Sequence, residues 1–219
     1  MRIKIDLHVH TVYSRDSRIT IDKAIKVAKK VGLDGFAITD HDTTEAHKKI
    51  PKNSGLIIIP GIEITTREGH LIGLGVSEPI KPGLSALETA EKIREAGGIV
   101  IVPHPMNPLK NSLGIDAIRE INPDGVETFN ASTPNILHVK KIEDLIEEMG
   151  YTKTGGSDAH IPSSIGKAYT IMDVRGENPE EVFRSIKRGK TIPVKEEETS
   201  LKEVLPKILL KIKTKILRL

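Results

Sequence analysis

Six short stretches of this sequence carry residue types that bind cations or move protons. The first is Asp6-Leu7-His8-Val9-His10, where two imidazoles stand two residues apart. On a strand that spacing aims both rings to one side and lets them share an ion. Asp16 follows in the loop Tyr13-Ser14-Arg15-Asp16-Ser17, and Thr39-Asp40-His41-Asp42 sets a histidine between two acids. Glu63 ends the apolar run of Pro60-Gly61-Ile62-Glu63-Ile64, His104 lies between Pro103 and Pro105, and Gly155-Gly156-Ser157-Asp158-Ala159-His160 again puts two ligand types at i, i+2. The glycine pair there permits close approach of backbone.

Taken singly, each stretch has an ordinary explanation such as an edge-strand face, a turn aspartate or a capped turn. Together they are harder to dismiss. Around His8 and His10 the intervening residues are β-branched or Leu, so both faces of the strand look buried, and inward polar groups then need a partner. Asp6 is expected to orient a ligand histidine rather than to bind metal. A buried Glu63 also needs a partner, and a carboxylate can bridge two cations, which an imidazole cannot. The chain has no Cys, which excludes thiolate zinc, iron–sulfur clusters and disulfides. Any metal must sit on nitrogen and oxygen, a donor set that suits Mn, Fe or Zn.

The elements that must position these residues alternate. Ile3 to Val9 has the period of two expected of a strand, with Ile3, Ile5, Leu7 and Val9 on one face and Asp6, His8 and His10 on the other. Helical spacing follows over Ile21 to Val31, capped by Thr20 and ended by Gly32. Further strands are predicted at 35–39, 56–64, 99–102, 125–129, 151–154 and 169–172, with 70–76 hairpinned onto its predecessor. Helices are predicted at 84–96 and 136–149 and after Pro179. Strands alternating with helices imply a parallel sheet, and about seven such units favour a closed α/β barrel. The polar stretches, with Asn130, fall where strands end, so they would converge on one rim.

In this order, Asp-Leu-His-Val-His-Thr, Thr-Asp-His-Asp, Pro-Gly-Ile-Glu, His-Pro and Ser-Asp-Ala-His resemble the motifs of the polymerase and histidinol phosphatase family over residues 2 to about 194. The resemblance implies a distorted seven-stranded (β/α) barrel, a cluster of two or three divalent metals and phosphoester hydrolysis, as in short stand-alone members acting on small phosphomonoesters such as nucleotides. It puts His8, His10, Glu63 and Asp158 on one metal and Asp16, His41 and His160 on a second, with Glu63 bridging to a third together with His104. Two departures stand out. Asn130 occupies a position where many three-metal members have histidine, and Asp16 is offset by one residue.

Chemically, two cations about 3.5–4 Å apart share and acidify a water, which attacks phosphorus. Glu63 would fix the cations, and Asp158, His104 or His160 would protonate the leaving alkoxide. Arg15, Arg67 and Lys167 are candidates to hold the substrate phosphate, and Asp40, His70 and Asn130, like Asp6, to support the ligands. Tyr13, Phe36, Phe129 and Met172 read as core, and His47 and His138 as surface.

The net charge is +3, yet residues 199–219 hold six Lys/Arg against one Glu, which leaves −2 on the remainder. A slightly acidic body argues against a broad nucleic-acid footprint and favours a small phosphorylated substrate over a nuclease reaction on nucleic-acid ends. A third reading is a non-catalytic, metal-stapled subunit, which loss of several ligands would favour. Residues 1–194 are expected to form the catalytic unit and 195–219 a basic amphipathic helix that packs on the barrel or a second subunit, with an anionic membrane surface as the rival. With neither a leader nor an apolar run of membrane length, the chain is expected in the cytoplasm. The absence of Gln and Trp beside abundant Lys and Glu matches a thermophile's bias.

Overall fold

The computed structural model describes residues 1–107, 110–133 and 139–196, apart from the side chains of 139–141. Among the described residues there are nine strands and five α-helices: β1 (Arg2–Val9), α1 (Ile21–Lys30), β2 (Gly35–Ile38), β3 (Ile57–Thr65), β4 (His70–Leu74), α2 (Ala86–Glu95), β5 (Ile99–Val102), α3 (Ile115–Ile121), β6 (Gly125–Asn130), α4 (Val139–Met149), β7 (Lys153–Gly156), β8 (Ala168–Asp173), α5 (Pro179–Lys187) and β9 (Thr191–Lys195). They form one mixed sheet in the order β7-β6-β5-β4-β3-β2-β1-β8-β9. The sheet curls until its ends nearly meet: Thr191 Oγ1 donates to the Lys153 carbonyl at 2.6 Å, and Val9 bridges Ala159.

The expected seven-stranded (β/α) barrel is therefore wrong in strand number and direction, although α/β holds. β1, β2 and β3 run parallel, as do β5, β6 and β7. Between these groups β4 returns antiparallel from β3, and β8 and β9 complete the wall as antiparallel additions beside β1. Pro193 conceals β9 in the sequence. A proline is tolerated on this outermost strand, where it faces Thr170 of β8. β9 runs through Lys195, and Glu196 N still bonds the Lys167 carbonyl. The expected C-terminal amphipathic helix lies outside the described residues from 197 onward.

Three apolar layers hold the barrel. Ile3, Ile5 and Leu7 of β1 meet Ile72, Ile99 and Ile101 across the interior, and Val182 and Ile186 of α5 join them. α1 covers β1 and β2 through Ala24 and Ala28, while α2, α3 and α4 cover β3 to β6 through Ile93, Ile118 and Leu145. Burying one such aliphatic side chain is worth about 1.5–3 kcal/mol. The caps follow the sequence. Thr20 accepts from Lys23 N at the start of α1, and Ser85 with Glu88 forms a reciprocal capping box on α2. Among the described helices none is long and apolar enough to cross a membrane.

One irregularity decides where the histidines point. Between Asp6 and Val9 the register of β1 against β2 shifts, and the strand's sidedness changes there. Ile3, Ile5 and Leu7 lie in the interior layer, but Val9 packs on the outer side with Phe36 and Ala28. Regular alternation would have kept Val9 with Leu7. The shift leaves His8 and His10 turned to the interior rim and Asp6 away from their rings.

Candidate metal centre

Residues from seven strand ends and loops meet at that rim. His8, His10, Glu63, His104 and Asp158 are buried, while His41, His70 and His160 are half-buried at the cleft mouth. Glu63 is central. Its Oε2 lies 3.2 Å from His10 Nε2, 3.2 Å from His41 Nδ1 and 3.4 Å from His8 Nε2, and its Oε1 lies 3.0 Å from both His104 Nε2 and His70 Nδ1. Asp16 Oδ2 is 3.0 Å from His160 Nε2 and 3.6 Å from His41 Nε2. Ligand-type atoms gather in overlapping groups: His10, Asp16, His41 and His160; His8, His10 and Glu63; His8, His104 and Asp158; His41, Glu63 and His70.

The backbone is strained to make this possible. His104 (φ 31°) and Asp158 (φ 53°) are left-handed, a conformation that costs non-glycine residues about 1–3 kcal/mol and collects at functional sites. Gly156 allows β7 to approach β1: a Cβ there would lie 2.5 Å from His8 Cβ and 2.6 Å from Glu127 Oε1.

The electrostatics are those of a site arranged for cations. Burial alone would raise Glu63, but the imidazoles of His8, His10, His104 and His70 hold it well below the usual carboxylate range. Asp158 is likewise pushed up by burial and overruled by Lys110, His8, His10 and His104. Against the cost of burial, Asp158, Glu63 and Glu127 hold His8 well above its ordinary value, and Asp158 and Glu63 raise His10. Burial lowers His41, His104 and His160, which favours their neutral, ligating form. His160 shows why a cation fits. Its Nδ1 lies 2.9 Å from the Asp158 carbonyl and its Nε2 3.0 Å from the Asp16 carboxylate, both acceptors. A neutral imidazole has one N–H, so one contact pairs two acceptors, and a cation there would satisfy both.

All eight expected metal ligands thus come together, and so do some of the supporting residues. His70 touches Glu63 directly. Asn130 donates to Glu127 Oε2 at 2.8 Å and to Asp158 Oδ2 at 3.2 Å. Asp40 accepts from Thr11 N and Oγ1 and so fixes the turn after His10. Asp6 does not reach a histidine ring. It accepts from the backbone N–H groups of Ser157, Gly166 and His8, bolting β1 to the loop that carries Asp158, and burial pushes its carboxyl up to about 6.

The three cations expected to hold phosphate separate. Arg15 lines a cavity of about 570 Å³ that shares Asp16 and His41 with the metal cleft. Arg67 is 61% exposed and turned to Glu68 and Glu88, and Lys167 immediately precedes β8 and is not among the residues lining the cleft. Tyr13, expected in the core, is 37% exposed and lines the cavity beside Arg15. His47 is held against β3, its Nε2 3.2 Å from Gly61 N, and is not a free surface group; His138 lies outside the described residues. A larger cavity of about 820 Å³, lined by Lys29, Asp34, Lys52 and Glu177, opens at the other end of the strands and holds none of the cluster.

Sequence reasoning missed two charged members of the site. Glu127, inside β6, receives His8 Nδ1 at 3.2 Å and His104 N at 2.8 Å. An acid in the middle of an otherwise buried strand was its signal. Lys110 lines the cleft and forms a close ion pair with Asp158. It stands in an irregular loop, and nothing in its sequence context distinguishes it.

A rim of histidines and carboxylates on a mixed α/β barrel is a donor set suited to divalent metal ions. A family model described as PHP-associated matches residues 138–191. An uncharacterized protein of Methanocaldococcus jannaschii is 45% identical over 142 residues, covering 59% of this chain and 82% of that one. A probable phosphatase of Proteus mirabilis is 23% identical over 209 residues, covering 79% and 85%. Two solved structures share the fold at 18% identity. One is a two-domain Bacteroides vulgatus protein containing a predicted PHP-like metal-dependent phosphoesterase (TM-score 0.69; 96% of this chain, 70% of that one). The other is the lesion-specific endonuclease EndoQ of Pyrococcus furiosus (TM-score 0.70; 94% and 66%). The chain belongs to the polymerase and histidinol phosphatase family.

Proposed function

We propose that this protein is a metal-dependent phosphoesterase that hydrolyses small phosphate monoesters, with residues 1–194 as its catalytic unit. The observation that carries the reading is the division of Glu63, whose two oxygens face different sets of imidazoles. His8, His10, Glu63 and Asp158 would hold one divalent ion and Asp16, His41 and His160 a second, with Mn, Fe and Zn all suited to these donors. Such ions would supply Lewis-acid charge for the phosphoryl oxygens and lower the pKa of water.

The chain's own residues do the rest. Ser14 Oγ, 3.2 Å from His10 Nδ1, and Glu127, on His8 Nδ1, fix both rings so that Nε2 faces the cluster. In the reaction the water oxygen bonds to phosphorus as the ester P–O bond breaks, and the departing alkoxide needs a proton. Asp158 is held ionised and is a poor source. His104 Nδ1 is steadied by Ser112 Oγ at 3.1 Å, but burial keeps this imidazole neutral, so the proton given up by the attacking water would return to the alkoxide through water in the open cleft. Arg15 and Tyr13, in the adjoining cavity, would receive the alcohol portion of the ester.

The probable phosphatases among the relatives support the monoester reading, and the EndoQ likeness keeps a nuclease activity as the rival. The test is release of inorganic phosphate from a panel of phosphomonoesters, run beside degradation of labelled oligonucleotides by the same manganese-loaded protein. Turnover of monoesters is expected. Degradation of oligonucleotides without monoester turnover would transfer the chain to the rival class.

A further inference from the structure

Asp158 uses its two oxygens differently. Oδ1 faces the histidines, 3.5 Å from His10 Nε2 and 3.7 Å from His8 Nε2. Oδ2 receives Lys110 Nζ, Asn130 Nδ2 at 3.2 Å and Ser132 Oγ at 2.7 Å. A carboxylate oxygen has about two lone-pair directions, so three donors leave none for a cation on that side. The group His8, His104 and Asp158 is close enough to resemble a further metal position. Its atoms His8 Nε2 and Asp158 Oδ1, however, face His10 on the side of the first proposed ion, and the other oxygen of Asp158, which a further ion beside His104 and Asn130 would need, is taken by the three donors.

Lys110 is delivered there by a pinned loop. Lys110 N donates to the Asn107 carbonyl, Met106 N to the Leu113 carbonyl and His70 N to the Asn111 carbonyl, while Ser112 Oγ donates to the His104 carbonyl at 2.7 Å. Its side chain is 24% exposed and forms part of the cleft wall. An ammonium has three donors, and with one on Asp158 the others can serve a ligand in the cleft.

We propose that Lys110 is a built-in cation standing where a third metal would bind, so that the centre holds two metal ions and Lys110 grips the phosphoryl group of the substrate. The phosphate half of this inference rests on the phosphoesterase reading; the metal count does not. The full-length chain, stripped, reconstituted with manganese and freed of excess metal, should contain two ions by elemental analysis. Inorganic phosphate should raise its melting temperature. Lys110→Met should keep two ions and weaken the apparent phosphate affinity about 10- to 100-fold, the scale of one charge-assisted hydrogen bond, with Lys110→Arg recovering part of it. Three ions in the wild-type chain would overturn the inference without any variant. So would wild-type phosphate affinity in Lys110→Met. A two-ion wild-type protein that neither binds nor releases phosphate would instead overturn the phosphoesterase reading, and the phosphate role of Lys110 with it.

Discussion

Replacing Gly156 with alanine adds one methyl group where the barrel wall is tightest. The new carbon would stand 2.5 Å from His8 Cβ, 2.6 Å from Glu127 Oε1 and 3.1 Å from His8 N, whereas ordinary contacts lie at 3.4–4 Å. Relief needs a movement of about 1 Å, and two of the three atoms belong to His8 itself, so β1 and β7 must part. Overpacking of this kind costs about 1–3 kcal/mol, which for a chain of this size lowers the melting temperature by about 2–12 °C. The effect on chemistry should be larger in proportion, because a 1 Å displacement of a positioned group can cost about 100-fold in rate. Thermal melts, phosphate release and metal content, measured on one preparation, should show a modest loss of stability and a severe loss of turnover and metal. Gly114→Ala is the control. That residue has nothing within 4 Å of its added carbon, and the change should stay within about 0.5 kcal/mol. Wild-type stability and turnover in Gly156→Ala would refute the claim that close approach of β7 sets the position of His8.

Glu63→Gln keeps the shape of the central ligand but removes its charge; we expect turnover to fall at least about 100-fold, with metal content falling too. Glu127→Gln should retain the hydrogen bonds to His104 N and Asn130 only in part and loosen His8, giving a loss of metal affinity of about 10- to 100-fold in chelator competition. Asn130→Ala removes one of three donors on Asp158 Oδ2 and should cost much less than Glu63→Gln in turnover, a comparison made under saturating substrate. Truncation after Thr199 should spare phosphate release, and light scattering and liposome sedimentation will show whether the basic tail serves an oligomer or a membrane surface.

The ligand set was legible because each member is a costly residue at the end of an apolar run. His8, His10, Glu63, His104 and Asp158 are polar groups that burial penalises unless something pairs with them, and the sequence shows both the apolar run and the exception. The direction of the strands was legible only in part. The hairpin of 70–76 onto its predecessor is present as β4 against β3, but a short apolar run such as Tyr169 to Met172 reads the same whether it runs parallel or antiparallel, and β9 is masked by Pro193. α3 opens on Gly114 with no side-chain cap, so it lacked a start signal. The shift between Asp6 and Val9 left no trace either, because β-branched residues and Leu suit both faces; that is why Asp6 was expected on the histidine rings and instead holds backbone amides. Lys110 became part of the site through a loop whose path depends on tertiary contacts.

The central claim is that the cluster is a metal centre that hydrolyses phosphoesters. Its most direct test is phosphate release by one preparation of the full chain before stripping, after stripping verified by elemental analysis, and after manganese is returned. Activity should vanish with the metal and return with it, and the melting temperature should fall and recover in parallel, since an ion bound only by the folded state stabilises it by mass action. Undiminished phosphate release by protein shown to be metal-free would contradict the account.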